Sequence, residues 1–130
     1  MKKLLLLTLV VVVLATCKKT KFSPEGPTDV RIKNKTNITF NEVIVNTSGG
    51  IDTLGTIIPG GVSEYYRFDK AFPKAEISAR INNVLYSTGA VNYFGMTYIG
   101  QAKITYTVYI LSGTKLAIDS CILDAPLDLK

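Results

Sequence analysis

AEISARINNVLYS, residues 75–87, carries two strand signatures around one turn. Ala75, Ile77, Ala79 and Ile81 fall on one side of an extended chain, and Glu76, Ser78 and Arg80 on the other, which is the period of a half-buried strand. Asn82-Asn83 follows, and asparagine tolerates the positive φ that a two-residue hairpin needs. Val84-Leu85-Tyr86-Ser87 then reads as the return strand. The segment predicts a hairpin with one face on a core.

The same signals recur on both sides. Asp29–Asn34 alternates apolar and polar residues, and Asn41–Asn46 is a short β-branched run. Thr47-Ser48-Gly49-Gly50 predicts a turn into Ile51–Ile57, and Pro59-Gly60-Gly61 separates that run from Val62–Phe68. Downstream, Ala102–Ile110 and Lys115–Leu123 are strands joined by Ser112-Gly113-Thr114. The glycine-flanked segment 89–100 reads either as an irregular loop or as a bulged strand. About seven or eight strands result, with turn signals every ~8–12 residues and no sustained helical period. The expectation is an all-β domain, a small antiparallel β-sandwich of Ig-like or transthyretin-like shape, with a small barrel as the alternative.

The N-terminus follows different rules. Met1-Lys2-Lys3 precedes an apolar run of about a dozen residues, Leu4 to Ala15. That is the length of a secretory h-region, ~7–15 residues, and short of the ~20 that span a bilayer as a helix. Residues 1–16 therefore read as a signal peptide. They end in Leu14-Ala15-Thr16-Cys17, which resembles the lipobox of bacterial lipoproteins, in the relaxed form of Bacteroidetes-type bacteria because threonine stands where glycine, alanine or serine is usual. From Val30 onward, the succession of Gly-Gly, Ile-Pro-Gly-Gly, Ser-Glu-Tyr-Tyr-Arg-Phe and Thr-Tyr-Thr-Val-Tyr resembles small lipoproteins of the same type. The resemblance implies that Cys17 becomes the N-terminal residue and that its thiol carries lipid. It also implies membrane lipid as a partner, with localisation in the envelope and Lys18 compatible with the outer membrane, at its periplasmic face or the cell surface. It implies no particular activity.

Residues 17–28 read as the tether behind that anchor. Two prolines and a glycine keep the segment loop-like, and Lys18, Lys19 and Lys21 suit an anionic headgroup surface. The lysines also account for most of the formal net charge of +5. Residues 26–130 hold ten basic and nine acidic side chains, so the domain at 29–130 is nearly neutral. A nucleic-acid partner is not expected.

Chemistry-bearing residues are sparse. The sequence has no histidine, which removes the commonest general base and metal ligand; neither a metal nor a cofactor is expected. Cys121, the second of two cysteines, has no histidine to activate it and reads as a small buried hydrophobe. If Cys17 is acylated, no disulfide can form; if it is not, Cys17 and Cys121 could pair. Gly49-Gly50 and Gly60-Gly61 open no helix and so make no phosphate loop. Tyr93, Phe94 and Tyr98 are the candidate ligand-binding residues, as an aromatic platform for a sugar ring or a partner's edge, although aromatics closing a core have the same composition. Asp52-Thr53-Leu54 resembles the Asp-Thr-aliphatic acceptor of O-glycosylation in Bacteroidetes-type bacteria, which makes Thr53 a candidate. The matches to the N-glycosylation pattern at Asn34, Asn37 and Asn46 read as chance. The expected function is a non-enzymatic binding or structural module on a lipid anchor. Its partner is an envelope protein or glycan; an inhibitor or immunity-type protein acting on an envelope hydrolase, or a sugar-binding module, are the alternatives.

Overall fold

The computed structural model describes residues 23–127 and 129. The signal segment, Cys17 and the tether up to residue 22 lie outside the described residues. Eight strands and no helix make up the described chain: β1 (Thr28–Asn34), β2 (Phe40–Asn46), β3 (Ile51–Ile57), β4 (Tyr66–Phe68), β5 (Glu76–Ile81), β6 (Val84–Ser87), β7 (Ala102–Ser112) and β8 (Lys115–Pro126). The all-β class and the strand count match the reading of the sequence. The hairpin of residues 75–87 forms as β5–β6, with Asn82 at φ 50° and Asn83 at φ 65°.

All eight strands belong to one sheet in the order β3-β2-β5-β6-β8-β7-β1-β4. Its terminal strands approach each other, so the sheet is nearly closed and barrel-like. The expected purely antiparallel layout does not hold. β1 runs parallel to β7 from Asp29↔Lys103 to Asn34↔Val108, and β6 is parallel to β8 at the single pair Ser87↔Lys115. The remaining neighbours are antiparallel. That single pair joins two four-strand halves, β3-β2-β5-β6 and β8-β7-β1-β4, into one sheet.

The interior is filled from every strand, with β6 contributing only the partly buried Tyr86. Val30, Ile32, Phe40, Val43, Val45, Ile57, Ile77, Ile81, Ile104, Tyr106, Val108 and Leu116 are fully buried, which removes from water the aliphatic surface that the alternation concentrates on one side. β2 breaks strict alternation. Phe40 and Val43 both point inward because Asn41 and Glu42 form a bulge, with Glu42 at φ 47°. Tyr106 is wholly buried among these side chains, and its hydroxyl donates to the Phe72 carbonyl.

Buried polar side chains pin the ends of the strands. Thr28 Oγ1 donates to the Gly100 carbonyl at 2.6 Å, and Thr47 Oγ1 to that of Lys70 at 2.8 Å. Asn34 closes the opposite end: its amide nitrogen donates to the carbonyls of Ile38 (2.7 Å) and Ile57 (3.1 Å), and its oxygen accepts from the backbone N–H and the hydroxyl of Thr36. One side chain thus satisfies the β1–β2 turn and the end of β3.

The described part of the tether is held on the domain. Gln101 Nε2 donates to the carbonyls of Ser23 and Gly26, at 3.0 and 3.2 Å. Gly26 packs so closely that a Cβ there would lie 1.8 Å from the Asp69 carbonyl oxygen. The expected loop-like linker is therefore fixed over Ser23–Pro27.

Candidate functional site

One concavity is created by where β6 ends. After Ser87 the chain leaves β8, and Thr88 continues along β5 instead: its backbone N–H donates to the Ile77 carbonyl and its hydroxyl accepts from the Ile77 N–H at 2.9 Å. Residues 89–100 then form an irregular loop without strand structure, the first of the two readings of that segment. β8 consequently runs on past Lys115 with no ladder partner on this side among the described residues.

A groove of about 660 Å³ opens between that bare edge and the loop. Lys115 to Cys121 line it without a gap, odd and even positions alike. A strand offers consecutive residues only along its edge, because its faces take alternate ones. The opposite wall comes from Ala75, Thr88, Val91 and Met96. Lys74 and Lys115 bring positive charge to the groove, and neither makes a salt bridge among the described residues; Asp119 is neutralised by Lys35 at 2.8 Å. The arrangement suits an extended ligand that can pair with backbone groups and offer acidic or hydrogen-bonding substituents.

Cys121 lies on this wall. It pairs across the ladder with Tyr106, and its half-buried side chain packs against the core. Burial pushes its thiol up to about 11, with Asp124 adding in the same direction. At neutral pH it is a protonated, weakly polar contact surface and a poor nucleophile. Burial drives the Tyr106 phenol upward still more strongly.

The three aromatics expected to act together have different roles. Tyr93 is half-buried: its ring packs on Phe72 with centroids 5.1 Å apart, and its hydroxyl donates to the Asn46 carbonyl at 3.0 Å. It anchors the loop. Phe94 is 95% exposed and Tyr98 43%, so these two are the surface residues. Thr53 is exposed in β3 opposite Ile44, and its backbone N–H donates to the Asp52 carboxylate.

A polar network missed in the sequence lies on the outer face of β1, β7 and β8. Arg31 Nε donates to Thr105 Oγ1 at 2.8 Å, and that hydroxyl donates to Asp124 at 2.5 Å. The Tyr65 hydroxyl also donates to Asp124, and Arg31 and Lys103 both stand about 5 Å from the Tyr65 ring centre. Burial and the Asp124 carboxylate together raise the Tyr65 phenol above its ordinary value. The network caps β7 and explains why Thr105 is buried although it points away from the core. Its members are remote in sequence, so only the pairing of β7 with β1 on one side and β8 on the other brings them together.

No protein-family model matches the chain, and no curated protein matches it in sequence. Among solved structures, the chain is similar to the NMR structure of a protein from Eubacterium rectale, at 10% identity and a TM-score of 0.51, over 78% of this chain and 96% of that one. At that identity the likeness concerns the fold alone.

Proposed function

We propose that the chain is an exported lipoprotein, acylated at Cys17 and held in the cell envelope by that lipid, whose β-domain binds a partner and performs no catalysis. The observation that carries the binding role is the groove along the unpaired edge of β8. Among the described residues it combines free backbone edge, apolar walls and two lysines without salt bridges, the features that recognise an extended segment of an envelope protein or a glycan. The raised Cys121 thiol supports contact over nucleophilic attack. The near-neutral domain favours neither DNA nor RNA. The anchor rests on Leu14-Ala15-Thr16-Cys17 after an apolar run too short to span a membrane, and the outer membrane is the destination that Lys18 allows. The two four-strand halves, joined at one residue pair, support the finer reading of the fold as a sandwich pinched together at one seam.

Two measurements test this. Intact mass of the membrane-extracted protein should begin at residue 17 with added acyl mass, and Cys17→Ser should lose it. A photo-crosslinking residue at Ala117 should capture an envelope protein or glycan in intact cells, while one at Ile58, exposed just beyond the end of β3, should not. Equal capture at both positions, or none, removes the groove as the binding site.

A further inference from the structure

The lipid attachment and the folded domain together decide which end of the sheet meets the bilayer. Four segments converge where the described tether begins. Ser23 and Gly26 are bonded to Gln101, Gly26 abuts Asp69, Gly49 abuts Lys70, and Gly100 approaches the Pro24 carbonyl. The exit of the tether is thus fixed to one end of the sheet.

That end also carries exposed apolar side chains. Ile51, at the start of β3 opposite Asn46, is 70% exposed. Phe94 follows Tyr93, whose hydroxyl reaches the Asn46 carbonyl at the same end. Tyr98 lies against Gly100. Exposure alone does not single out these residues, because Leu111 and Ile58 at the opposite end are 52% and 65% exposed. Reach does. The six residue steps from Cys17 to Ser23 extend to at most ~20 Å. β7, with its eleven residues, carries Leu111 ~30 Å from its own start beside the tether. An anchor at Cys17 therefore brings the tether end to the bilayer and leaves the far turns away from it.

We propose that this end is a lipid-facing rim, with Phe94 entering the headgroup and upper acyl region and Tyr98 and Ile51 at its margin. The inference rests on the acylation of Cys17 proposed above. Aromatic side chains favour this depth because an apolar ring gains from leaving water while the loop backbone stays hydrated. The charged groups beside the tether exit carry no positive excess. Lys70 lies 4.0 Å from Glu25, and Asp69 is exposed nearby. Attraction to anionic lipid falls to Lys18, Lys19 and Lys21, whereas insertion of Phe94 depends on apolar contact and should persist on zwitterionic lipid.

The chain contains no tryptophan, so a single one introduced by substitution reports alone. Full-length protein carrying Phe94→Trp, purified from membranes, is reconstituted on phosphatidylcholine vesicles with and without brominated acyl chains. Leu111→Trp serves as the far-end reference, and intact mass verifies the acyl group in each preparation. The expected result is blue-shifted emission from Phe94→Trp that is lost in brominated vesicles, with unshifted, unquenched emission from Leu111→Trp. Acylated, vesicle-bound protein in which Phe94→Trp is unquenched, or in which both positions are quenched alike, overturns the rim and leaves the anchor standing. Absence of acyl mass overturns the anchor, and the rim with it.

Discussion

Two residues show how single side chains govern this protein. Asn34 is wholly buried and uses its amide at both ends, so removing it takes a partner at once from the Ile38 and Ile57 carbonyls and from the Thr36 N–H and hydroxyl. Asn34→Ala is expected to cost about 2–3 kcal/mol in urea unfolding, the penalty for buried polar groups left without partners. Asn37→Ala, in the same turn but exposed, should stay within about 0.5 kcal/mol. Equal effects would assign the role to the turn as a whole. Cys121 is governed by burial in a different way. With its thiol pushed up to about 11 from 9.0, the thiolate population at pH 8 is about a hundredfold below that of an ordinary cysteine. Alkylation by iodoacetamide should be slower than for a free thiol by at least that factor, and a rate equal to the free thiol's would contradict the burial.

At the scale of elements, the β5–β6 hairpin tests the turn chemistry with little interference from packing, since Asn82 and Asn83 are both exposed at positive φ. Asn83→Val places a β-branched side chain in the left-handed region and should destabilise by about 1–2 kcal/mol, while Asn83→Gly should be neutral or stabilising. Comparable urea midpoints for the two variants would mean that the turn is not held in this conformation. This hairpin was legible because every signal for it is local: alternation, an asparagine pair, alternation again. The bulge at Asn41-Glu42 left a fainter trace, two polar residues between Phe40 and Val43. The parallel pairing of β1 with β7 left none, because alternation specifies which face is buried and is silent about which strand lies alongside. For the same reason the groove was out of reach. Its wall is an edge exposed by the departure of β6, and its residues read in sequence as one more ordinary strand. The surface aromatics at 94 and 98 were identifiable by type, yet only the packing of Tyr93 on Phe72 separates the anchor of the loop from its exposed neighbours.

A ladder pair links the groove of the molecule to its core. Tyr106 on β7 and Cys121 on β8 are direct partners; one is sealed in the interior, and the other lines the concavity. Both are neutral acids whose folded pKa is raised, chiefly by burial; Cys121 raises Tyr106 further, and the Asp124 carboxylate raises Cys121. With the folded value above the unfolded one, the native state holds the proton that the unfolded chain has already released, so stability falls as pH rises. For Cys121 the stabilisation is complete below about pH 9 and is lost as pH rises towards 11. Tyr106 extends the decline above pH 10, the ordinary value for its phenol. Urea midpoints measured from pH 7 to 11 should be level at first and then drop, and Cys121→Ala should stay level across the window from 9 to 10 and decline only above it, where Tyr106 alone contributes. If wild type and variant decline in parallel across that window, the thiol is solvated and the groove is wetter and wider than the packing of Cys121 against the core implies. If the variant is flat and wild type is not, the wall that a ligand would meet is continuous with the core, and occupation of the groove should protect the β7–β8 ladder as a unit.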